Sequence, residues 1–589
     1  MTPTAGGRQR LGFRRLIPYL KQHKLRLAAG LALTPVFTSI ALYTPQVIRR
    51  AIESLRDAGG EGLDPELWTR ILLVLLGLWA LYGLVRFAAR YLLIGLSRIV
   101  EEMLRNDFFE HLSRCPARYF DQARIGDLIS RSAQDIELMR FMAGPTLFFG
   151  AATLIQLPLA LLLVFSISVV LGITVLGLFG IIALGLRFLF PKLALLSRSV
   201  QDVQGDLSAK AQEDFTGIRV LQAFAREDFE VRAFAGLADH CLDAQVSMAK
   251  YRGMLHATFI ISGYAGQLAV LSAGVFVGLT IAELFTALLY LRQLVWPMII
   301  IGWVMQTYHR AKAAADRIDE VFVVATEEEE CPVSAGPLPE LLETSLEARE
   351  LSFRYGGDSP LALDSVNFRI EANQTLGLVG PIGGGKSTLI ALLARLYNPA
   401  RGTLFIGQTD VLDLRLEDLR KHLSIAPQDP FLFSDSIQDN ILFSTAHEPK
   451  EELLEEVIHA SGLEPDIETF PEGLDQFIGE RGLTLSGGQK QRTSLARALA
   501  GDRPVLILDD TLSAVDHGTE QSILGSLGER RGKQTTILIA HRLEAVRGAD
   551  LILVLDQGRV VERGRHPELV RAGGWYARTW AQQQRVDAT

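Results

Sequence analysis

Three short segments in the C-terminal half carry the residue types that hold a phosphate chain and a divalent cation. The strand-like run QTLGLVG, starting at Gln374, leads into Gly380-Pro381-Ile382-Gly383-Gly384-Gly385-Lys386-Ser387-Thr388, and the helical pattern LIALLARLY follows. Strand, glycine-rich turn and helix in that order are the context a phosphate-binding loop requires. Gly380, Gly383, Gly384 and Gly385 let backbone N–H groups turn inward around phosphates, and the helix that Ser387 and Thr388 help to open adds positive potential. Lys386 supplies a point charge for the β- and γ-phosphates, and Ser387 a hydroxyl for Mg²⁺. Farther along, the apolar strand Val505–Leu508 ends in Asp509, a carboxylate at a strand's carboxyl end that suits Mg²⁺ held through water. Between them lies Leu485-Ser486-Gly487-Gly488-Gln489, which by itself reads as a glycine-rich turn opening a helix.

In that order, with LSGGQ upstream of Asp509, these segments resemble the ATP-binding domain of ABC transporters. The resemblance implies that Leu485, Ser486, Gly487, Gly488 and Gln489 cap the γ-phosphate of ATP bound to an opposite subunit, so that one chain does not complete a site. Further positions follow from it. Tyr355 in LSFRYGG looks like the aromatic that stacks on adenine, Gln428 in SIAPQDP like the glutamine that joins Ser387 and Asp509 around Mg²⁺, and His541 in LIAHRL like the switch histidine. FIGERG from Phe477 to Gly482 resembles the exporter loop that touches coupling helices, and Ser513-Ala514-Val515-Asp516 the D-loop.

One position departs from the family pattern. Members that hydrolyse ATP well carry glutamate directly after the Walker B aspartate, whereas Asp510 stands there. Aspartate is one carbon shorter, roughly 1.5 Å of reach, and a misplacement of about 1 Å costs about 10²-fold in rate. Asp510, His541 and Gln428 therefore form the expected catalytic set, with the base set back. The run LDDTLSAVD looks like the degenerate subunit of bacterial heterodimeric multidrug exporters.

These groups need a frame, and the composition describes a chain of two kinds. Its 589 residues exceed one core, and 48% hydrophobic content beside 21% charge separates a greasy part from a charged part. The net charge of -8 argues against nucleic acid as a partner. Cys115, Cys241 and Cys331 give no disulfide framework and no metal spacing. Residues 1–322 read as a transmembrane domain, 323–346 as a Pro- and Gly-punctuated linker with the acidic run Glu327–Glu330 as a solvated segment, and 347–589 as an α/β P-loop domain.

Six apolar runs are long enough to cross a bilayer: Leu27–Ile48, Trp68–Leu93, Phe141–Phe165, Ile167–Phe190, Leu255–Thr280 and Leu284–Val304. Residues 1–26 hold seven Lys or Arg and no acid, which places the N-terminus in the cytosol, and six spans return the C-terminal domain there. The first run is too long for a signal peptide and lacks a cleavage site. Residues 94–140 and 191–254 are charged but keep helical periodicity, so the helices should continue far out of the membrane. Within them, FFEHLSRCPARYFDQARIGDLISRSAQDI (Phe108–Ile136) and EDFTGIRVLQAFARED (Glu213–Asp228) resemble the two cytosolic loops of ABC exporters, each of which ends in a short coupling helix.

The resemblance implies an ATP-driven exporter of amphipathic or hydrophobic compounds in the cytoplasmic membrane, working with a second half-transporter. A homodimeric lipid or peptide exporter and a nucleotide-gated channel are the competing readings, and no peptidase domain precedes the first span. Phe285, Arg292, Trp296 and Trp303 recur on one face of the sixth span. Arg292 and Trp296 are the candidates for the substrate path, since a charge at that depth rarely faces lipid.

Overall fold

The structure, a computed structural model, describes residues 11–57, 65–330, 345–356, 359–445, 451–479, 482, 485–513 and 515–587. It divides into a helical unit, residues 7–112 with 126–323, and a C-terminal unit, residues 113–125 with 324–589.

The helical unit opens with α1 (Leu16–Gln22), α2 (Lys24–Asp57) and α3 (Pro65–Ser113). The chain then passes through α4 (Ala117–Gln122), which belongs to the C-terminal unit, and returns through α5 (Ile125–Ser130), α6 (Ile136–Ala143) and α7 (Pro145–Ile167). After α8 (Val169–Thr216) and the short α9 (Ile218–Ala223), α10 (Glu227–Val277) and α11 (Ile281–Phe322) complete it. Six helical stretches are long and apolar enough to cross a membrane: Lys24–Asp57, Pro65–Ser113, Ile125–Ile167, Val169–Thr216, Glu227–Val277 and Ile281–Phe322. At about 1.5 Å per residue, the 49-residue α3 and the 51-residue α10 are roughly 74 and 77 Å long, more than twice a hydrocarbon core of about 30 Å. The charged stretches do prolong the spans as helix.

Two span ends differ from the hydropathy reading. Ile167 closes α7 instead of opening the next span, because Ser168 is extended and caps α8. Thr280 lies beyond α10, which stops at left-handed Gly278, and it caps α11 instead: its hydroxyl accepts from Glu283 N at 3.3 Å while the Glu283 carboxylate accepts from Thr280 N at 2.9 Å.

Two of the prolines inside the spans, Pro45 and Pro297, leave gaps that neighbours fill. Pro45 has no N–H for the Ala41 carbonyl four residues back, and the Gln293 side chain of α11 donates to that oxygen at 3.1 Å. Pro297 frees the Gln293 carbonyl in the same way, and Gln156 of α7 donates to it at 3.2 Å. Tyr290, fully buried, donates to the Leu42 carbonyl at 3.0 Å and accepts from Gln46 at 3.0 Å. In hydrocarbon each such bond is worth about 0.6 kcal/mol on average, and the unmet carbonyl would cost more. A core of Leu42, Ala160, Val164, Leu171, Val270, Tyr290 and Leu294 surrounds these contacts.

Past residue 323 the chain re-enters the C-terminal unit through α12 (Glu327–Glu330), so the acidic run is helix and not simply a solvated segment: Glu327 holds Arg420 at 2.7 Å. Cys331 and most of the linker lie outside the described residues. An antiparallel sheet, in the order β2 (Leu363–Ile370), β1 (Leu346–Phe353), β4 (Leu404–Ile406) and β5 (Thr409–Asp410), flanks a larger sheet. The larger sheet runs β10 (Arg559–Gly564), β9 (Leu551–Asp556), β3 (Thr375–Val379), β8 (Thr535–Ile539), β7 (Val505–Asp509) and β6 (Leu423–Ala426), all parallel except β10. β3 and β7 are buried along their whole length, which is why they read as continuous apolar runs. Helices α13 (Lys386–Leu393), α14 (Leu416–Lys421), α15 (Ile437–Leu442), α16 (Glu451–Ala460), α17 (Glu464–Thr469), α18 (Gly487–Ala500), α19 (His517–Glu529), α20 (Leu543–Val546), α21 (His566–Ala572) and α22 (Trp575–Asp587) complete the unit. Two apolar clusters build its core. The carboxyl ends of β3, β7 and β8 face one cleft, the usual ligand position in an open α/β sheet.

Candidate nucleotide-binding site

The cleft at those strand ends is a cavity of about 400 Å³, within the range of small-molecule pockets. Tyr355, Gly383, Gly384, Gly385, Lys386, Ser387, Thr388, Gln428, Asp509, Asp510 and His541 all line it. Gly380, the residue after β3, does not itself line the cavity but opens the loop that does. Gly380 has φ 140°, and a β-carbon there would meet the Leu555 carbonyl oxygen at 2.0 Å; Gly385 has φ 99° and would strike the Ala362 oxygen at 2.6 Å. No other residue type fits either position without moving backbone.

Lys386 opens α13 and is buried, its ammonium donating to the Gly380 and Pro381 carbonyls at 2.9 Å each. Burial lowers its pKa, while the nearby Asp509 and Asp510 carboxylates oppose that shift. Asp509 ends β7 and is raised above the usual carboxylate range by burial, against a hydrogen bond from the Ser387 side chain. Ser387, Asp509 and Gln428 all line the cavity and each carries a side-chain oxygen, a set that fits Mg²⁺ completed by phosphates and water. Tyr355 stands half-exposed at the rim, its ring perpendicular to Phe353 and Tyr397 with centroids 5.1 and 5.0 Å away, and its hydroxyl bonded to Thr388 Oγ1 at 3.0 Å.

Asp510 is buried with φ 49°, a left-handed backbone that turns the chain away from β7. One carboxylate oxygen accepts from His541 N at 3.4 Å, and the other lies 3.8 Å from His541 Nε2, beyond a hydrogen bond. The carboxylate is therefore drawn toward the backbone of the histidine loop.

The LSGGQ residues do not join this cavity. Ser486 caps α18, with Gln489 N donating to its hydroxyl at 3.3 Å and the Gln489 carboxamide accepting from Ser486 N at 2.9 Å. Leu485 is buried beneath the turn, Ser486 and Gly487 are exposed, and Gly488 is half-exposed in the first turn. Asp516 caps α19 in the same fashion, accepting from Thr519 N at 3.0 Å, and that bond holds its carboxyl below the usual range. Ala514 of the D-loop and Glu480 and Arg481 of FIGERG lie outside the described residues.

In the helical unit the sixth-span face divides. Arg292 lines a cavity among α8, α10 and α11, Trp303 stands in an edge-on cluster with Phe141 and Phe149, and Trp296 is exposed in neither.

Sequence reasoning missed two contacts that bear on the cavity. The Gln583 carboxamide of α22 donates to the His541 carbonyl at 2.8 Å and accepts from Leu543 N at 2.9 Å, bracing the loop that carries His541. Tyr397, beside Tyr355, hydrogen-bonds Asp121 of α4, and its pKa is raised by burial and by that carboxylate. Neither carries a local motif. Gln583→Ala removes two bonds of about 1 kcal/mol each. It should lower kcat for ATP about three- to tenfold with little change in KM, and speed amide exchange at 540–543; unchanged exchange and kcat would show that the brace is idle.

Known families match both halves. The ABC transporter transmembrane region matches residues 27–298, and the ABC transporter domain residues 363–513. The chain is 30% identical over 575 residues to the probable multidrug resistance ABC transporter ATP-binding/permease protein YheI of Bacillus subtilis, covering 96% of each chain. It is 31% identical to the multidrug resistance-like ATP-binding protein MdlA of Escherichia coli, over 97% of this chain and 96% of that one. With the ATP-dependent lipid A-core flippase of Aromatoleum aromaticum it shares 34% identity over 88% of this chain and 85% of the other. A solved bacterial Atm1-family ABC exporter with ATP bound superposes with TM-score 0.76 at 26% identity, covering 95% of this chain and 98% of that one. Six apolar helices joined to a P-loop unit, and matches spanning nearly the whole length, make this chain a multi-pass transport ATPase of the ABC exporter family.

Proposed function

We propose that the chain is one subunit of a dimeric exporter that moves amphipathic or hydrophobic compounds across the cytoplasmic membrane, with both termini cytosolic, and that its own ATP site is the slower of two in a heterodimer. The observation that carries the dimer is the separation just described: the cavity contains the phosphate loop, Gln428, Asp509, Asp510 and His541, whereas Ser486 and Gly488 sit on a helix N-terminus that does not line it. A helix N-terminus left exposed suits an anion brought by another chain. Relatives named for multidrug resistance and for lipid flipping support an amphipathic cargo.

In this reading the adenine lies against Tyr355 and the phosphates enter the loop at 380–388. Lys386 exchanges its two carbonyl contacts for phosphate oxygens, and Ser387, Gln428 and Asp509 hold Mg²⁺. When bound, Mg²⁺ neutralises charge on the β- and γ-oxygens. His541 faces the γ-phosphate end. Asp510 must orient the attacking water, but its short side chain is turned toward His541 N, so ATP binds well and is cleaved slowly. Gly488 and Ser486 serve the partner's site. Arg292 and Trp296 are assigned to the substrate path.

Purification from the native host tests this. A second ABC subunit with glutamate after its Walker B aspartate should co-purify in equal amount, and the isolated chain should turn over ATP at about a hundredth of the rate of the pair. An isolated chain as fast as the pair would favour the homodimer.

A further inference from the structure

The cavity among α8, α10 and α11 holds one fixed charge at mid-depth in the membrane. Its volume is about 90 Å³, and Phe179, Ile182 and Leu291 make it apolar apart from Arg292, Ser262 and Gln267. Arg292 lies eleven residues past the start of α11 at Ile281, about 16 Å along a helix that crosses a core of about 30 Å. Among the described residues no carboxylate pairs with it. Arg49, by contrast, is held by Glu53 at 2.8 Å and Glu283 at 2.9 Å.

Arg292 is exposed at the mouth of this cavity, and a guanidinium within a membrane-spanning helix keeps its charge, so water or a counter-charge must meet it. No described carboxylate of this chain supplies that counter-charge, which leaves the guanidinium open to an anion that enters the cavity. Size narrows its nature. At about 90 Å³ the cavity has room for a small polar group and falls far short of the roughly 300 Å³ at which whole-ligand pockets begin. A hydrocarbon tail would have to lie outside it, along the apolar surface. The flat guanidinium fork matches two oxygens of such a group, and Ser262 and Gln267 of α10, which also line the cavity, carry further hydrogen-bond donors.

We propose that this cavity is a headgroup subsite that selects anionic amphiphiles, bound by Arg292 with Ser262 and Gln267, so that the preferred cargo carries a negative rather than a positive head. The proposal rests on the exporter reading and names the substrate class of its path.

The test uses the assembled dimer in phosphatidylcholine nanodiscs without ATP, and measures binding of oleoyl lysophosphatidic acid, oleoyl lysophosphatidylcholine and inorganic phosphate. The first should bind at least about tenfold more tightly than the second, and phosphate alone should not bind measurably. Arg292→Gln should bring the two lipids within about twofold of each other, and Arg292→Lys, which keeps the charge without the fork, should retain part of the difference. Should Arg292→Gln not fold, Ser262→Ala should still weaken the anionic lipid alone by about threefold. Equal affinities in the unaltered dimer, full discrimination in Arg292→Gln, or tight binding of inorganic phosphate would overturn the proposal. Because no ATP is present, the outcome stands apart from the exporter reading, which falls instead if the purified dimer with ATP moves no amphipathic compound across a vesicle membrane.

Discussion

Lys386→Ala should weaken ATP binding at this chain's own site by about 10²-fold while the unit stays folded. The ammonium is the one basic group lining the cavity apart from His541, and hydrogen bonds to charged groups contribute about 1.5–3 kcal/mol each. Without nucleotide those bonds run to the Gly380 and Pro381 carbonyls, so its removal also unties the loop from within. The sheet beneath does not depend on it, since β3 is buried and bonded to β8 and β9 along its length. Equilibrium binding of a fluorescent ATP analogue, with thermal unfolding as the control, decides the matter. Unchanged affinity would mean that the phosphates lie elsewhere.

Gly488→Asp should nearly abolish ATP turnover of the dimer. The residue lies in the first turn of α18, where an added carboxylate favours the helix itself by interacting with its positive end, so a loss of turnover is not a loss of fold. In the proposed dimer its effect falls on the other chain's nucleotide. Two like charges about 4 Å apart repel by about 4 kcal/mol at an effective dielectric of 20, close to a thousandfold in rate. A variant retaining more than a tenth of wild-type turnover would separate the signature from the partner's phosphate.

What the residue order disclosed, and what it did not, divides by distance along the chain. The phosphate loop was legible because strand, turn and helix are contiguous, and Gly380 and Gly385 announce a backbone that only glycine allows. Asp509 and Asp510 follow directly from a buried strand. The spans were legible from hydropathy, yet their ends slipped at Ile167 and Thr280, because an extended backbone at Ser168 and a side-chain cap at Thr280 are single-residue events that mean hydropathy does not register. Contacts between distant residues left no trace. Gln583 meets His541 42 residues away, Tyr397 meets Asp121 across 276 residues, and the glutamines that satisfy proline-freed carbonyls lie on other helices. Glu327 illustrates the same point, reading as one of four solvated acids until Arg420 is brought beside it. The sixth-span face also divided, since helical spacing gives a direction but not the neighbours on that side, and Arg292 and Trp303 meet different helices.

In the proposed heterodimer this chain's Walker motifs build the slow site while its signature serves the fast one. Asp510→Asn tests it cleanly, because asparagine keeps an oxygen that can accept from His541 N and so preserves the local backbone while removing the charge. The decisive measurement is steady-state ATPase of the co-purified dimer carrying Asp510→Asn beside the same dimer carrying Gly488→Asp. The account predicts a loss of only a few-fold for Asp510→Asn and near-complete loss for Gly488→Asp. If Asp510→Asn is as inactive as Gly488→Asp, Asp510 is a working catalytic base and the two sites are equal.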